Sequence, residues 1–272
     1  MNGYKAPRKR FGQHFLTDQS VIQQILLHIE NLPAAPLVEI GPGRGALTLP
    51  LLKDRGMLDV IEIDNDLVNY LRDTCRDLGD LKIHAGDVLE FDFRSLGYGK
   101  MNIIGNLPYN ISTPVLFHIL DYRDCIDSMM FMLQREVVDR ITAMPGNRDY
   151  GRLSVMIQST CSVERLFDID PQSFTPAPAV VSTFLAMAPL QGSDKPPVIH
   201  DQKQFSGIVQ MAFNQRRKTI RNSLKQRFTV TDLAALDIDP GARAEDLSVE
   251  DYIRMANYAT THRETRDTDG QD

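Results

Sequence analysis

The chain contains no tryptophan and only three cysteines, Cys75, Cys125 and Cys161, with no metal-ligand or redox-pair spacing between them. Such a set predicts buried thiols in a reducing cytosol, with neither a zinc site nor a disulfide. Long hydrophobic runs are missing as well: none approaches the roughly 20 residues that a membrane-crossing helix needs. The basic N-terminus is not followed by the apolar core of a signal peptide. A soluble, cytoplasmic chain without membrane or metal is therefore expected. There is no internal repeat. An excess of positive charge is also absent, with 30 Lys and Arg against 36 Asp and Glu and a net charge of −6. Taken as a sum, that charge argues against a nucleic-acid partner.

The charges are segregated, however, and position matters more than the sum. From Phe228 to Asp272 there are eleven acids against four arginines, which leaves the rest of the chain slightly positive. Lys5, Arg8, Lys9 and Arg10 crowd the first ten residues, and Arg216, Arg217, Lys218, Arg221, Lys225 and Arg227 form an acid-free stretch. Both are candidate phosphate-binding patches. The second follows Phe205, Ile208, Val209, Ala212 and Phe213, whose spacing predicts a buried helix face. The loop formers Gln191 to Pro197 mark a domain boundary. Residues 1–190 alternate strand and helix patterns, which predicts a mostly parallel sheet covered by helices, and residues 191–272 read as helical only. The polar tail from Thr260 to Asp272 has too little apolar content to pack and is expected to be disordered.

Chemistry enters at Asn106-Leu107-Pro108-Tyr109, which ends the apolar run from Met101 to Ile104. An aromatic exocyclic amine is a poor nucleophile because its lone pair is delocalised into the ring. Two acceptors aimed at its hydrogens would draw the nitrogen toward a tetrahedral form. Asn106 can accept through its amide oxygen without bringing a charge. Pro108 forces Leu107 into an extended conformation that exposes its carbonyl, the natural second acceptor. Tyr109 offers a flat face for a flipped-out base, with stacking contributing roughly 1–3 kcal/mol. The same four residues would equally suit an ordinary Asx-type turn at a strand end.

Upstream, Leu37 to Ile40 is a short buried-strand pattern running into Gly41-Pro42-Gly43-Arg44-Gly45, and Ala46, Leu47, Leu51 and Leu52 follow at near-helical spacing. A strand, a glycine loop and a helix make a cradle in which backbone can approach a ligand closely. Met57 to Ile63 is a second strand pattern, with Glu62 at its end placed to accept from ribose hydroxyls. The third, Leu81 to His84, leads to Asp87, placed to accept from an adenine amine. Gly41, Gly43, Ala46 and Glu62 also satisfy a nicotinamide-dinucleotide fingerprint, so these residues alone do not choose between adenosine cofactors.

The series resembles the ribosomal RNA adenine dimethyltransferase family, and most closely its bacterial small-subunit, kasugamycin-resistance branch. The likeness runs from Lys9-Arg10-Phe11-Gly12-Gln13-His14-Phe15-Leu16 through Glu39 to Gly45, Asn106 to Ser112, Phe131 to Glu136 and Tyr150 to Val155, ending at Phe174-Thr175-Pro176-Ala177-Pro178. It implies a Rossmann-like α/β domain that uses S-adenosylmethionine, followed by a small all-helical domain. It further implies that His14, chiefly through its backbone, and Leu16 close over the cofactor's methionine end. Gly41, Gly43 and Asn106 would touch the cofactor, Glu62 its ribose and Asp87 its adenine, while Phe174 would stack on the target base opposite Tyr109. Val181 departs from the pattern, standing where the family often carries an acid. The activity implied is N6,N6-dimethylation of two neighbouring adenosines in the 3′-terminal hairpin of 16S rRNA, within the assembling 30S subunit, by a monomer. The basic residues Arg8, Lys9, Arg10, Arg216, Arg217, Lys218 and Arg221 would hold that RNA. The alternatives are the same chemistry on large-subunit (23S) RNA and a non-catalytic assembly factor on the same fold.

Overall fold

The computed structural model describes residues 13–192 and 196–268. Lys5, Arg8, Lys9 and Arg10 of the first basic patch lie outside the described residues. By contact density the chain forms two units, Met1–Val138 with Val163–Pro189, and Asp139–Ser162 with Leu190–Asp272. The boundary at Pro189 adjoins the expected one. The crossing of residues 139–162 into the second unit was not foreseen, because a lone helical stretch in sequence does not say which core it serves.

In the first unit, β1 (Phe15–Leu16) and α1 (Gln19–Glu30) precede β2 (Leu37–Ile40), α2 (Thr48–Arg55), β3 (Met57–Glu62), α3 (Asn65–Thr74), β4 (Asp80–Ala85), β5 (Met101–Asn106), α4 (Ser112–Leu120) and β6 (Ile126–Gln134). After α5 (Arg135–Thr142) and α6 (Arg152–Gln158) come β7 (Cys161–Ile169), β8 (Phe174–Thr175) and β9 (Ser182–Pro189). Seven strands form one sheet in the order β4-β3-β2-β5-β6-β9-β7. Strands β4 to β6 of that order are mutually parallel, and β9 runs antiparallel to β6. The chain leaves β2 toward one edge through β3 and β4, then returns to β2's other side as β5. That reversal creates a crevice at the carboxyl ends of β2 and β5, where open α/β sheets bind ligands.

Burial explains the elements. Leu37, Val38 and Ile40 of β2 and Ile103 and Ile104 of β5 are buried, as central parallel strands require. Helix α1 buries Ile22, Ile25, Leu26 and Ile29 and is capped by Asp18, which accepts from the Ser20 amide at 2.9 Å. The glycine loop continues as turns and α2 begins only at Thr48. Gly105 shows why β2 and β5 can lie so close at the crevice: a Cβ there would stand 2.6 Å from the Ile40 carbonyl oxygen.

The second unit packs α7 (Gln202–Asn214) through Phe205, Ile208, Val209 and Ala212 against α10 (Val249–Thr268), which buries Tyr252, Ile253, Met255 and Ala256. The short helices α8 (Ile220–Ser223) and α9 (Val230–Ala235) lie between them in sequence. Disorder was expected from Thr260 to Asp272; α10 continues as far as Thr268, and residues 269–272 lie outside the described residues. A helix already nucleated on a buried face gains one hydrogen bond per added residue, so polar residues can extend it.

Candidate active site

A cavity of about 270 Å³ opens at the carboxyl ends of β2, β3 and β5, entirely within the first unit. His14, Leu16, Gly41, Gly43, Glu62, Asp87, Asn106, Leu107, Pro108 and Tyr109 all line it. Residues up to 95 positions apart in sequence therefore meet in one crevice.

Gly41 and Gly43 have φ of 66° and 57°, a left-handed backbone that favours glycine. The Gly41 amide donates to the Ile61 carbonyl at 3.0 Å, which ties the loop to β3. A Cβ on Gly43 would meet the Phe15 ring at 3.0 Å, so the bare loop fits beneath β1 only as glycine. Glu62 is buried, and its two oxygens accept from the Gly43 amide at 3.3 Å and the Asp64 amide at 2.9 Å. Burial pushes its carboxyl up to about 7 against these stabilising amides. Glu39, unassigned by the sequence reading, lines the same cavity 2% exposed, with the Thr48 hydroxyl donating to it at 2.6 Å. Burial, with some repulsion from Glu62, pushes it up to about 7 as well.

These residues fit an adenosine cofactor. Glu62 retains acceptor capacity for a ribose diol. Asp87 uses one oxygen to cap the Leu89 amide at 2.9 Å, which leaves the other to accept from an adenine amine. Ile63, 45% exposed, and Val88 add apolar surface for a purine ring. Sequence reasoning passed over both; the signal was an apolar residue directly after each polar strand end.

At the tetrad, the Asn106 amide nitrogen donates to the His14 carbonyl at 2.9 Å. A carbonyl can only accept, so this bond engages the amide nitrogen and leaves the amide oxygen as an acceptor. Leu107 is buried, and its amide donates to the Met132 carbonyl at 3.3 Å. The Tyr109 hydroxyl shares a 2.6 Å hydrogen bond with the Ser182 hydroxyl, and burial raises its pKa. The His14 ring stacks on Tyr109 with centroids 5.5 Å apart and planes 23° apart.

Phe174 is corrected. Its side chain is 3% exposed, packed in the core cluster with Leu16, Ile22 and Phe184, and absent from the cavity wall. Pairing of Phe174 with Leu16 across β1 and β8 draws it inward, a register that two-residue strands do not betray in sequence. The ring that faces Tyr109 is His14. At Val181, the departing position, the backbone carbonyl accepts from the Arg135 amide at 3.0 Å.

In the second unit, Arg216, Arg217 and Lys218 sit on the turn after α7 and Arg221 on α8, all exposed. Arg216 is already engaged: it pairs with Glu245 at 2.6 Å and donates to the carbonyls of Arg148 and Tyr150. It is a staple between segments rather than a free cation, which its place in a basic run concealed. Among the described residues no group of three or more His, Cys, Asp or Glu could hold a metal, and no helix is long and apolar enough to cross a membrane. The three cysteines are buried and form no disulfide.

The family described as "Ribosomal RNA adenine dimethylase" matches residues 5–261. "Ribosomal RNA small subunit methyltransferase A" of Chromohalobacter salexigens is 52% identical over 258 residues, covering 92% of this chain and 90% of that protein. The protein of the same name from Pseudomonas aeruginosa is 46% identical, covering 92% and 93%. Among solved structures, a dimethyladenosine transferase from Plasmodium falciparum superposes with a TM-score of 0.77 at 22% identity, covering 91% of this chain and 98% of that one. The 23S rRNA methyltransferase ErmE does so at 0.68 and 22%, covering 90% and 99%. At such identities these two structures speak for the fold alone, an α/β Rossmann-like methyltransferase with a helical C-terminal part. With the family matched across most of its length and relatives near half identical over nine-tenths of it, this chain belongs to the ribosomal RNA adenine dimethylase family.

Proposed function

We propose that the chain transfers methyl groups from S-adenosylmethionine to the exocyclic N6 of adenine in small-subunit ribosomal RNA, two to each of two neighbouring adenosines. The observation that carries the reading is the Asn106 amide at the cavity wall, its nitrogen held by the His14 carbonyl so that its oxygen is left to accept from an incoming amine. The name shared by relatives at 46–52% identity, ribosomal RNA small subunit methyltransferase A, supports the small subunit as the source of that RNA. The large-subunit enzyme whose structure superposes on this chain is 22% identical and speaks for the fold, not for that substrate.

Gly41, Gly43, Glu62 and Asp87 hold the cofactor, which when bound supplies a methyl group already activated on a sulfonium. The protein's task is then to bind, orient and exclude. Asn106 and the Leu107 carbonyl accept from the two amine hydrogens and direct the lone pair. Tyr109 supports the base. Alignment of this kind contributes several kcal/mol to a displacement, so the proposal invokes no metal and no strong base. The surplus proton passes to water. An adenine must leave its stack to reach the tetrad, which favours a loop or an exposed strand and costs a few kcal/mol in a duplex.

Arg217, Lys218 and Arg221 hold RNA phosphates, Arg216 shapes the turn that carries them, and the partner is 16S rRNA within the assembling 30S subunit. The protein works as a cytoplasmic monomer. Incubation of purified protein with radiolabelled cofactor and undermethylated 30S particles, followed by nucleoside digestion, should yield N6,N6-dimethyladenosine. Label confined to any other nucleoside would overturn the reading.

A further inference from the structure

His14 precedes the short strand β1, a strap expected to close over the cofactor, and is the residue at which this strap, the β8 segment and the Asn106–Tyr109 tetrad meet. Its carbonyl takes the Asn106 amide hydrogen at 2.9 Å, and its ring stacks on Tyr109 at 5.5 Å. Its Nδ1 lies 2.7 Å from the Pro176 carbonyl oxygen. Because that oxygen can only accept, Nδ1 carries the proton and the ring is held by a directed bond as well as by stacking. The strap itself is pinned on the other side. Phe15 and Leu16 pair with Thr175 and Phe174, and the Thr17 amide donates to the Ser173 carbonyl at 2.8 Å. Tyr109 is anchored at its far end by Ser182. The Tyr109 plane is thus set by two contacts, a hydroxyl bond at its tip and an imidazole on its face.

We propose that the His14 side chain is a positioning residue for the target base rather than a cofactor contact: clamped between Pro176 and Tyr109, it fixes the plane of the stacking platform and the strap that orients Asn106. The inference rests on the adenine N6 reading above. A residue of the cofactor strap would then govern how the base is presented, and its loss would leave cofactor binding intact.

The test compares wild type, His14→Ala and His14→Asn in the full chain with 30S particles as substrate. His14→Ala keeps the backbone carbonyl and removes both the ring and the Pro176 bond. Misplacement of a platform by about an ångström should lower kcat roughly tenfold to a hundredfold, while Kd for S-adenosylmethionine by calorimetry stays within twofold. The asparagine side-chain amide reaches about as far as Nδ1 and can donate to the Pro176 carbonyl, so His14→Asn should recover part of the lost kcat. Thermal melting of each variant identifies a folding defect, and RNA carrying 2-aminopurine at the target position then reads base stacking independently of turnover. A parallel rise in cofactor Kd with the fall in kcat, or an unchanged kcat in His14→Ala, would overturn the proposal. Failure of the wild type to methylate adenine would instead sink the functional reading, before any variant is compared.

Discussion

Asn106 and Glu39 line the same crevice, and each can be tested alone. Asn106→Ala removes the amide-oxygen acceptor without touching the glycine loop. It should reduce methyl transfer by at least a hundredfold, with cofactor Kd nearly unchanged by calorimetry. Equal losses would mean that Asn106 serves the cofactor instead. Glu39 carries a second prediction. Its folded carboxyl, at about 7, lies above the ordinary value of 4.5, so the stability it contributes is full below about 4.5 and is lost as pH rises through about 7. Glu39→Gln keeps an acceptor for Thr48 and removes the buried charge. In cofactor-free protein it should raise stability by roughly 1–3 kcal/mol at pH 8, with the gap closing by pH 5. A gap independent of pH would show that Glu39 does not ionise in this range. Placement at the cavity was legible in sequence where chemistry restricts residue type, as at Gly43, Glu62 and Asn106. It was not legible where packing decides: Phe174 turns inward through pairing with Leu16, and Ile63 and Val88 line the cavity with only their place after a polar residue to mark them.

Strand and helix periodicities located the elements well, because a central parallel strand such as β2 must be apolar on both faces. What sequence left out is how closely elements approach. Gly105 reads as an unremarkable glycine in a strand, yet it lets β5 lie against the end of β2 and so sets the depth of Asn106 beside the loop. Gly105→Ala would force its Cβ to within 2.6 Å of the Ile40 carbonyl oxygen. Overpacking of this kind costs about 1–3 kcal/mol, sometimes more, and the shift should weaken cofactor binding along with thermal stability. An Ala variant that melts and binds like wild type would show the strands free to separate. The extent of α10 and the allegiance of residues 139–162 were hidden for a related reason. Both depend on a buried face formed elsewhere in the chain, not on local composition.

For the whole molecule, the net charge of −6 says little, because acid and base are kept in different segments. Charge reversal at Arg217, Lys218 and Arg221 should weaken RNA binding and flatten its salt dependence by roughly 2–3 log units per log unit of salt. Arg216→Ala should instead act mainly on stability, since it breaks the bonds to Glu245, Arg148 and Tyr150. Identical salt slopes for wild type and the triple variant would remove the patch from the RNA footprint. The central claim, that this crevice dimethylates adenine N6 in small-subunit RNA, is tested most directly by presenting separated, undermethylated 30S and 50S subunits to the enzyme with labelled S-adenosylmethionine and identifying the nucleoside that carries the label. The account predicts N6,N6-dimethyladenosine in 30S RNA only, abolished by Asn106→Ala; label in 50S RNA, or none in either, would contradict it.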